Sequence, residues 1–240
     1  MPSPNKVITL PPSLRNQYVL FRHGRSLANE RGVVVSAPEN GVAIAGGPLG
    51  TGWGLSEVGK AQVMQSAQTL ADFLYPYNST SPLPEVRIYT SPFLRASETA
   101  SIIHTVLTNT SLTPAPPISY PIVHPSLSER FFGDFELHSD KIYNTVWAAD
   151  ADDGAHTRWN VESCVSVRNR TASLVLDVIE PLPPAPAFTA VLVAHGDALQ
   201  ILQTAFEDVP VSTHRQLRHV ETAEWKVARG TARGRISADR

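Results

Sequence analysis

The sequence predicts an α/β fold with a mostly parallel central sheet and helices on both faces. Two observations lead there. Short apolar runs alternate with segments of helical periodicity along the chain, the pattern of strand–helix–strand units. The strongest run, Ala190–Ala194 (AVLVA), is near-continuously apolar, as expected of a strand covered on both faces.

The elements follow in order. Gln17–Phe21 (QYVLF) reads as a buried opening strand bounded by polar residues. Leu55–Leu74 reads as a helix capped by Ser56, with Ala61, Met64, Ala67, Leu70, Ala71 and Leu74 at helical spacing. Val86–Thr90 (VRIYT) is a second strand. Leu94–Leu107 is a second helix, with Ala96, Ala100, Ile103 and Leu107 on one face. Ile118–Val123 is a candidate third strand. Glu162–Ile179 shows a helical pattern through Val165, Ala172, Val175 and Ile179. Asp197–Phe206 is a helix after the AVLVA strand, and Glu224–Val227 is a weaker last strand. Prolines gather in the connectors, at Pro11–Pro12, Pro82–Pro84, Pro114–Pro117 and Pro181–Pro186.

Two regions break the alternation. Val33–Gly54 is glycine-rich and reads as an irregular loop. Gly133–Asn160 is acidic and reads as a cap-like insertion over one face of the sheet. The chain is taken as one domain over residues 1–240, with irregular tails at 1–16 and 229–240 and the cap at 133–160.

Composition narrows the function classes. Of 240 residues 42% are hydrophobic, which excludes a disordered chain. Twenty basic and 22 acidic side chains give a net charge of −2, which argues against nucleic acid or an anionic membrane as partner. The longest apolar run has five residues, against the ~20 of a membrane span. The N-terminus makes a poor signal peptide. With a single cysteine, Cys164, a reducing, cytoplasmic compartment is expected. The sequons at Asn78, Asn109 and Asn169 then read as chance matches.

In doubly wound sheets ligands sit beyond the carboxyl ends of the strands. Arg22-His23-Gly24-Arg25-Ser26 follows the first strand, Ser91-Pro92-Phe93-Leu94-Arg95 the second, Ser128-Glu129-Arg130 the candidate third, and His195-Gly196-Asp197 the AVLVA strand. Arginine offers a planar fork of donors for phosphate oxygens. A histidine can attack phosphorus when positive charge holds the group in line. A carboxylic acid can protonate the leaving oxygen. Glycine after each histidine lets backbone amides approach a ligand. Together these groups suit phosphoryl transfer through a phosphohistidine, with no metal and no cofactor. His104, His124, His138, His156, His214 and His219 show no metal-ligand spacing and read as ordinary surface or partly buried histidines. Glu98 and Glu162 read as structural or solvated, Arg25 as peripheral, and Cys164 as buried and inert.

Arg22-His23-Gly24-x-Ser26, with Asn29 downstream, resembles the signature of the histidine phosphatase superfamily, the phosphoglycerate mutase-like family. Leu55–Gln62, Thr90–Ala100, Leu127–Arg130, Glu162-Ser163 and Ala194-His195-Gly196 resemble its further motifs in order, so the likeness runs from about Tyr18 to Leu202. The resemblance implies a phosphoglycerate mutase-like fold. It implies His23 as nucleophile, Arg22, Arg95 and His195 as the pocket for the phosphoryl group, and Glu129 as general acid and base. Asn29 then helps bind substrate. Ser26, Gly24, Arg130 and Gly196 join the candidate substrate-binding set, with Arg130 equally readable as the partner of an acid. Family mutases carry a long insertion with paired arginines that hold a carboxylate. Here Gly133–Asn160 is short and has only Arg158, so the expectation is a phosphatase acting on a phosphorylated small molecule, with a phosphoprotein also possible. A mutase and a non-catalytic binding module are the alternatives.

Overall fold

The computed structural model describes residues 7–42, 52–76, 83–109, 115–182 and 187–228. Five strands form one sheet in the order β3-β2-β4-β1-β5. They are β1 (Gln17–Arg22), β2 (Val86–Thr90), β3 (Ile122–Val123), β4 (Thr189–Ala194) and β5 (Trp225–Ala228). β1 and β2 flank β4 in parallel, with Leu20 opposite Leu192 and Ile88 opposite Val191. β3 adds to β2 in parallel, and β5 closes the other edge antiparallel to β1. The carboxyl ends of β1, β2 and β4 therefore share one edge of the sheet, as the fold class requires.

Strand alternation sends successive side chains to opposite faces. On one face Val19, Phe21, Ile88, Val191 and Val193 pack against α3 (Glu57–Leu74) and α4 (Leu94–Thr108) through Val63, Ala67, Leu70, Ala100 and Ile103. On the other, Tyr18, Leu20, Tyr89 and Leu192 meet Ala172 of α6 (Cys164–Ser173), the π-helical turn Leu174–Ile179, and Leu199 and Leu202 of α7 (Gly196–Phe206). All six residues of β4 are buried, which accounts for its unbroken apolar run.

Local signals explain several boundaries. Ser56 accepts the Gly59 N–H at 3.1 Å and starts α3. Ser163 accepts the Ser166 N–H and starts α6. Glu162 thus stays outside the helix. The buried stripe of α3 runs through Gly59, Val63, Ala67, Leu70 and Leu74, while Met64 is exposed, so the stripe sits slightly off the expected face. The third strand is shorter than its pattern: Ile118 makes one isolated bridge to Val86, and only Ile122–Val123 pairs with β2. Pro121 lies between them and has no N–H to donate to a ladder.

Two regions expected to be irregular hold more structure. The described part of Val33–Gly54 contains α2 (Pro38–Gly41) and bridges Val33–Ser139 and Val42–Phe93; residues 43–51 lie outside the described residues. The segment 133–160 contains α5 (Tyr143–Asp152) among short 3₁₀ turns, with Phe132, Val146 and Val161 in a small core of their own. Residues 7–16 form no regular element but are tied down. The main chain of Ile8 bonds Asn169 and Arg168, and Arg15 donates to the Glu180 and Leu182 carbonyls. Of the expected tails, 1–6 and 229–240 lie outside the described residues, as does Asn78. No helix among the described residues is long and apolar enough to cross a membrane.

Candidate active site

Three strand ends and the turn carrying Glu129 converge on a cavity of about 240 Å³. His23 follows β1 and is held on both sides of its own peptide: its N–H donates to the Ala194 carbonyl, and its carbonyl accepts from Ala223. Its ring is buried, with Nδ1 2.7 Å from the Gly24 carbonyl. A carbonyl only accepts, so Nδ1 carries the proton and Nε2 keeps its lone pair toward the cavity. Burial, with Arg95 and Arg22 nearby, holds the His23 pKa well below the usual histidine value, so the ring is neutral.

Three cationic or potentially cationic groups surround that lone pair. Arg95, at the start of α4, donates its Nε–H to His23 Nε2 at 3.1 Å and one terminal N–H to the Val35 carbonyl. Arg22 donates to His219 Nε2 at 2.7 Å and to the Val220 carbonyl. His195 follows β4, with its ring 5.1 Å from that of His23 and Nε2 2.8 Å from Ser91 Oγ. Ser91 Oγ already accepts the Phe93 N–H, so its own O–H is available to donate to Nε2. The proton of a neutral His195 then sits on Nδ1, and that nitrogen is 4.0 Å from Glu129 Oε2. Burial and the arginines also push the His195 pKa well down.

Each of these three side chains keeps one buried polar atom without a hydrogen-bond partner: Arg22 Nε, Arg95 Nη1 and His195 Nδ1. Buried polar groups are nearly always paired. Arg22 and Arg95 line the cavity, His195 is next to His23 without lining it, and their orphaned donors suit an anion with several acceptor oxygens.

Glu129 stands on the wall beside them. Its Oε1 accepts from the Arg130 N–H at 2.9 Å and the Ala198 N–H at 3.3 Å. Burial is the main cause that raises its pKa; Arg95 opposes, and the Asp197 charge adds. The turn carrying it is clamped by Arg170, which donates to the carbonyls of Ser126, Ser128 and Glu129 and is itself gripped by both carboxylate oxygens of Glu162.

Of the candidate substrate-binding residues, Ser26, Asn29 and Gly196 line the cavity. Ser26 and Asn29 form the capping box of α1 (Leu27–Arg31), which fixes Asn29 at the rim. A Cβ on Gly196 would lie 3.0 Å from Arg22 Cζ, so glycine there makes room for the guanidinium. Gly24 and Arg130 do not line it. The Gly24 N–H donates to Thr99, and a Cβ there would come within 2.6 Å of the Gly59 carbonyl. Gly24 thus serves helix packing, not ligand approach. Arg130 is fully buried and pairs with both carboxylate oxygens of Asp150 and with Asp197. Of its two readings, the pairing with acids is the one the geometry gives.

Other lining residues carried no assignment in the sequence. His219 reads there as an ordinary histidine, yet it backs Arg22 and lines the cavity; nothing in its spacing signals this. Asp197 directly follows His195-Gly196 at a strand end, which was a usable signal. Tyr143 and Trp147 stand four residues apart, on one face of α5, and with Phe132 and Asp140 they form the outer wall. His156 and His214 are buried beside Asp150, not on the surface. With Cys164, Asp150 and His214 place potential metal-ligand atoms within 4.8 Å, but the carboxylate of Asp150 is already filled by Arg130 and His156. Burial pushes the Cys164 thiol pKa up, which keeps it a thiol. Arg25 is peripheral and faces Glu30. Glu98 is structural, accepting the Leu55 N–H.

Comparisons with known proteins place the chain in a family and a fold. The family described as histidine phosphatase superfamily (branch 1) matches residues 18–238. No curated protein matches the sequence. Among solved structures, a mycobacterial glucosyl-3-phosphoglycerate phosphatase complexed with VO3 superposes with a TM-score of 0.64 at 24% identity, covering 88% of this chain and 92% of that one. The same mycobacterial protein with inorganic phosphate gives 0.60 at 23% identity, covering 88% of each chain. A phosphoserine phosphatase from Entamoeba histolytica in complex with 3-phosphoglyceric acid gives 0.59 at 16% identity, covering 88% and 89%. At these identities the likeness establishes the phosphoglycerate mutase-like fold.

Proposed function

The chain belongs to the histidine phosphatase superfamily, and on that premise we propose that it hydrolyses phosphomonoesters through a phosphohistidine formed on His23. The observation that carries this reading is the ring of orphaned donors, Arg22 Nε, Arg95 Nη1 and His195 Nδ1, around the unprotonated Nε2 of a buried histidine. Phosphatases among the structural neighbours support it.

The steps follow from the groups. A phosphate dianion enters and takes the orphaned donors, which draws the Arg95 N–H away from His23 Nε2. The freed lone pair attacks phosphorus in line with the ester oxygen. Glu129, whose protonated form burial favours, gives its proton to the leaving oxygen as the P–O bond breaks. The carboxylate so formed then takes a proton from water, whose oxygen attacks the phosphohistidine. The P–N bond breaks, Nε2 regains its lone pair and inorganic phosphate leaves. The dianion also favours protonated His195, whose positive charge then joins those of the arginines.

The test is turnover of p-nitrophenyl phosphate by wild type and His23→Ala in the presence of EDTA. Wild type should retain full activity and His23→Ala should lose about a thousandfold or more. Loss of wild-type activity to EDTA, or its survival in His23→Ala, would refute the mechanism. A mutase would instead interconvert 2- and 3-phosphoglycerate from a trace of bisphosphoglycerate with little free phosphate; slow interconversion is expected.

A further inference from the structure

The lining of the cavity divides into two sets of unlike charge. One holds the permanent cations Arg22 and Arg95, beside His23. One phosphate dianion uses both of those cations. The other includes Asn29, Phe132, Asp140, Tyr143, Trp147 and Asp197. Among the described residues no further lysine or arginine lines the cavity. Segment 43–51, outside the described residues, contains no charged residue in its sequence (AIAGGPLGT); Arg229, Arg233, Arg235 and Arg240 also lie outside the described residues, beyond Ala228, which pairs with Tyr18 at the end of β1 away from His23.

Asp197 and Asp140 differ in what they have left to offer. Asp197 is already engaged, accepting the Trp147 indole N–H at 2.9 Å on Oδ1 and an Arg130 N–H at 3.1 Å on Oδ2. Asp140 is exposed at the rim. Its backbone N–H donates to the Gly32 carbonyl, and among the described residues its carboxylate has no ion-pair partner. Arg31, beside the Gly32 that accepts the Asp140 N–H, and Lys141, next in sequence, are turned to other uses or lie outside the cavity. Arg31 lies over the Trp53 ring, and Lys141 is not among the lining residues.

We propose that the leaving alcohol of the substrate carries no negative charge: the site takes phosphomonoesters of neutral or cationic alcohols and rejects those bearing a carboxylate or a second phosphate. This rests on the phosphatase reading above and specifies the chemistry of its leaving-group side. Among the described residues an anionic leaving group would find no lining cation beyond those that hold the phosphate, since Arg215 stacks on Trp147 and donates to Gln200 without lining the cavity, and it would face the Asp140 carboxylate. An ammonium group would gain that same carboxylate, and a hydroxyl group would find an acceptor in Asp140 and a donor in the Asn29 amide, whose oxygen is already taken by Ser26. The apolar edges of Phe132, Tyr143 and Trp147 offer an anion no hydrogen bond in place of water and so sharpen the difference.

Three esters of similar size provide the test: O-phosphoethanolamine, glycerol 2-phosphate and phosphoglycolate, with p-nitrophenyl phosphate as a reference. Turnover of the reference reports the phosphatase reading alone; its absence sinks that reading. With the reference turned over, the proposal expects kcat/KM for the cationic and neutral esters to exceed that for phosphoglycolate by about tenfold or more. Asp140→Asn should narrow the gap by about threefold or more, mostly through KM for phosphoglycolate. Values within about threefold of one another for all three esters, or a preference for phosphoglycolate, overturn the proposal. An unchanged gap in Asp140→Asn overturns the part assigned to that carboxylate.

Discussion

His23 and Glu129 have pKa values moved in opposite directions by one cause, burial. The histidine is depressed, so it stays neutral at pH values where an ordinary histidine would charge. The glutamic acid is raised, so it stays protonated at pH values where an ordinary carboxylate would have ionised. Activity needs both conditions at once. The acid limb of the pH–rate profile should therefore fall at the depressed His23 value, and the basic limb at the raised Glu129 value. Glu129→Gln should remove the basic limb and slow hydrolysis of alkyl phosphates by about a hundred- to ten-thousand-fold, with a smaller loss for p-nitrophenyl phosphate, whose leaving group needs no proton. A basic limb that survives in Glu129→Gln would assign that limb elsewhere. His219→Ala removes the acceptor for an Arg22 N–H, and kcat/KM should fall by about tenfold, mainly through KM. Steady-state kinetics on a phosphomonoester check this, and an unchanged KM would contradict it. The motif residues around the cavity were legible because strand-end Arg, His and Glu announce themselves together. His219 was not, because its role depends on a contact across 197 residues of chain.

Elements show where local sequence signals suffice. The starts of α3 and α6 were readable because a serine side chain caps each within its own turn. The third strand was overestimated because hydrophobic periodicity ignores the missing N–H of Pro121. The close contact between α3 and the turn after His23 was invisible, since Gly59 looks like any helix glycine. A Cβ there would lie 2.0 Å from the Arg25 carbonyl oxygen, against rigid backbone. Gly59→Ala should therefore destabilise by about 2–3 kcal/mol despite alanine's better helix propensity. Urea unfolding measures this, and a variant as stable as wild type would show that α3 can shift away. Because the displaced backbone adjoins Gly24, the same variant should also lose activity.

At the scale of the whole molecule, a buried polar network fastens the cap to the catalytic edge of the sheet. Arg130 follows Glu129, pairs with Asp150 of α5 and reaches Asp197 of α7, which in turn accepts from Trp147 of α5. The acidic character of 133–160 was plain in sequence. Its purpose was not, because the partner of Asp150 is 20 residues away and buried. Asp150→Ala leaves a fully buried guanidinium short of its bidentate partner and should cost about 3–5 kcal/mol, read by chemical denaturation. The depressed His23 and His195 values also have a global consequence. The unfolded chain binds protons at the ordinary histidine value of about 6.5, whereas the native chain does so only at lower pH. Their contribution to stability is full above that value and is lost as pH falls toward the depressed native ones. Tm should decline between about pH 7 and pH 5, and inorganic phosphate should offset the decline by favouring protonated His195. A Tm that rises on acidification would contradict this.

The most direct measurement is the mass of the enzyme trapped during turnover. Wild type mixed with excess substrate and quenched in alkaline denaturant should carry one added phosphoryl group on the peptide containing His23, absent from His23→Ala. A phosphoryl group on another residue, or hydrolysis with none trapped at any stage of turnover, would contradict nucleophilic attack by His23.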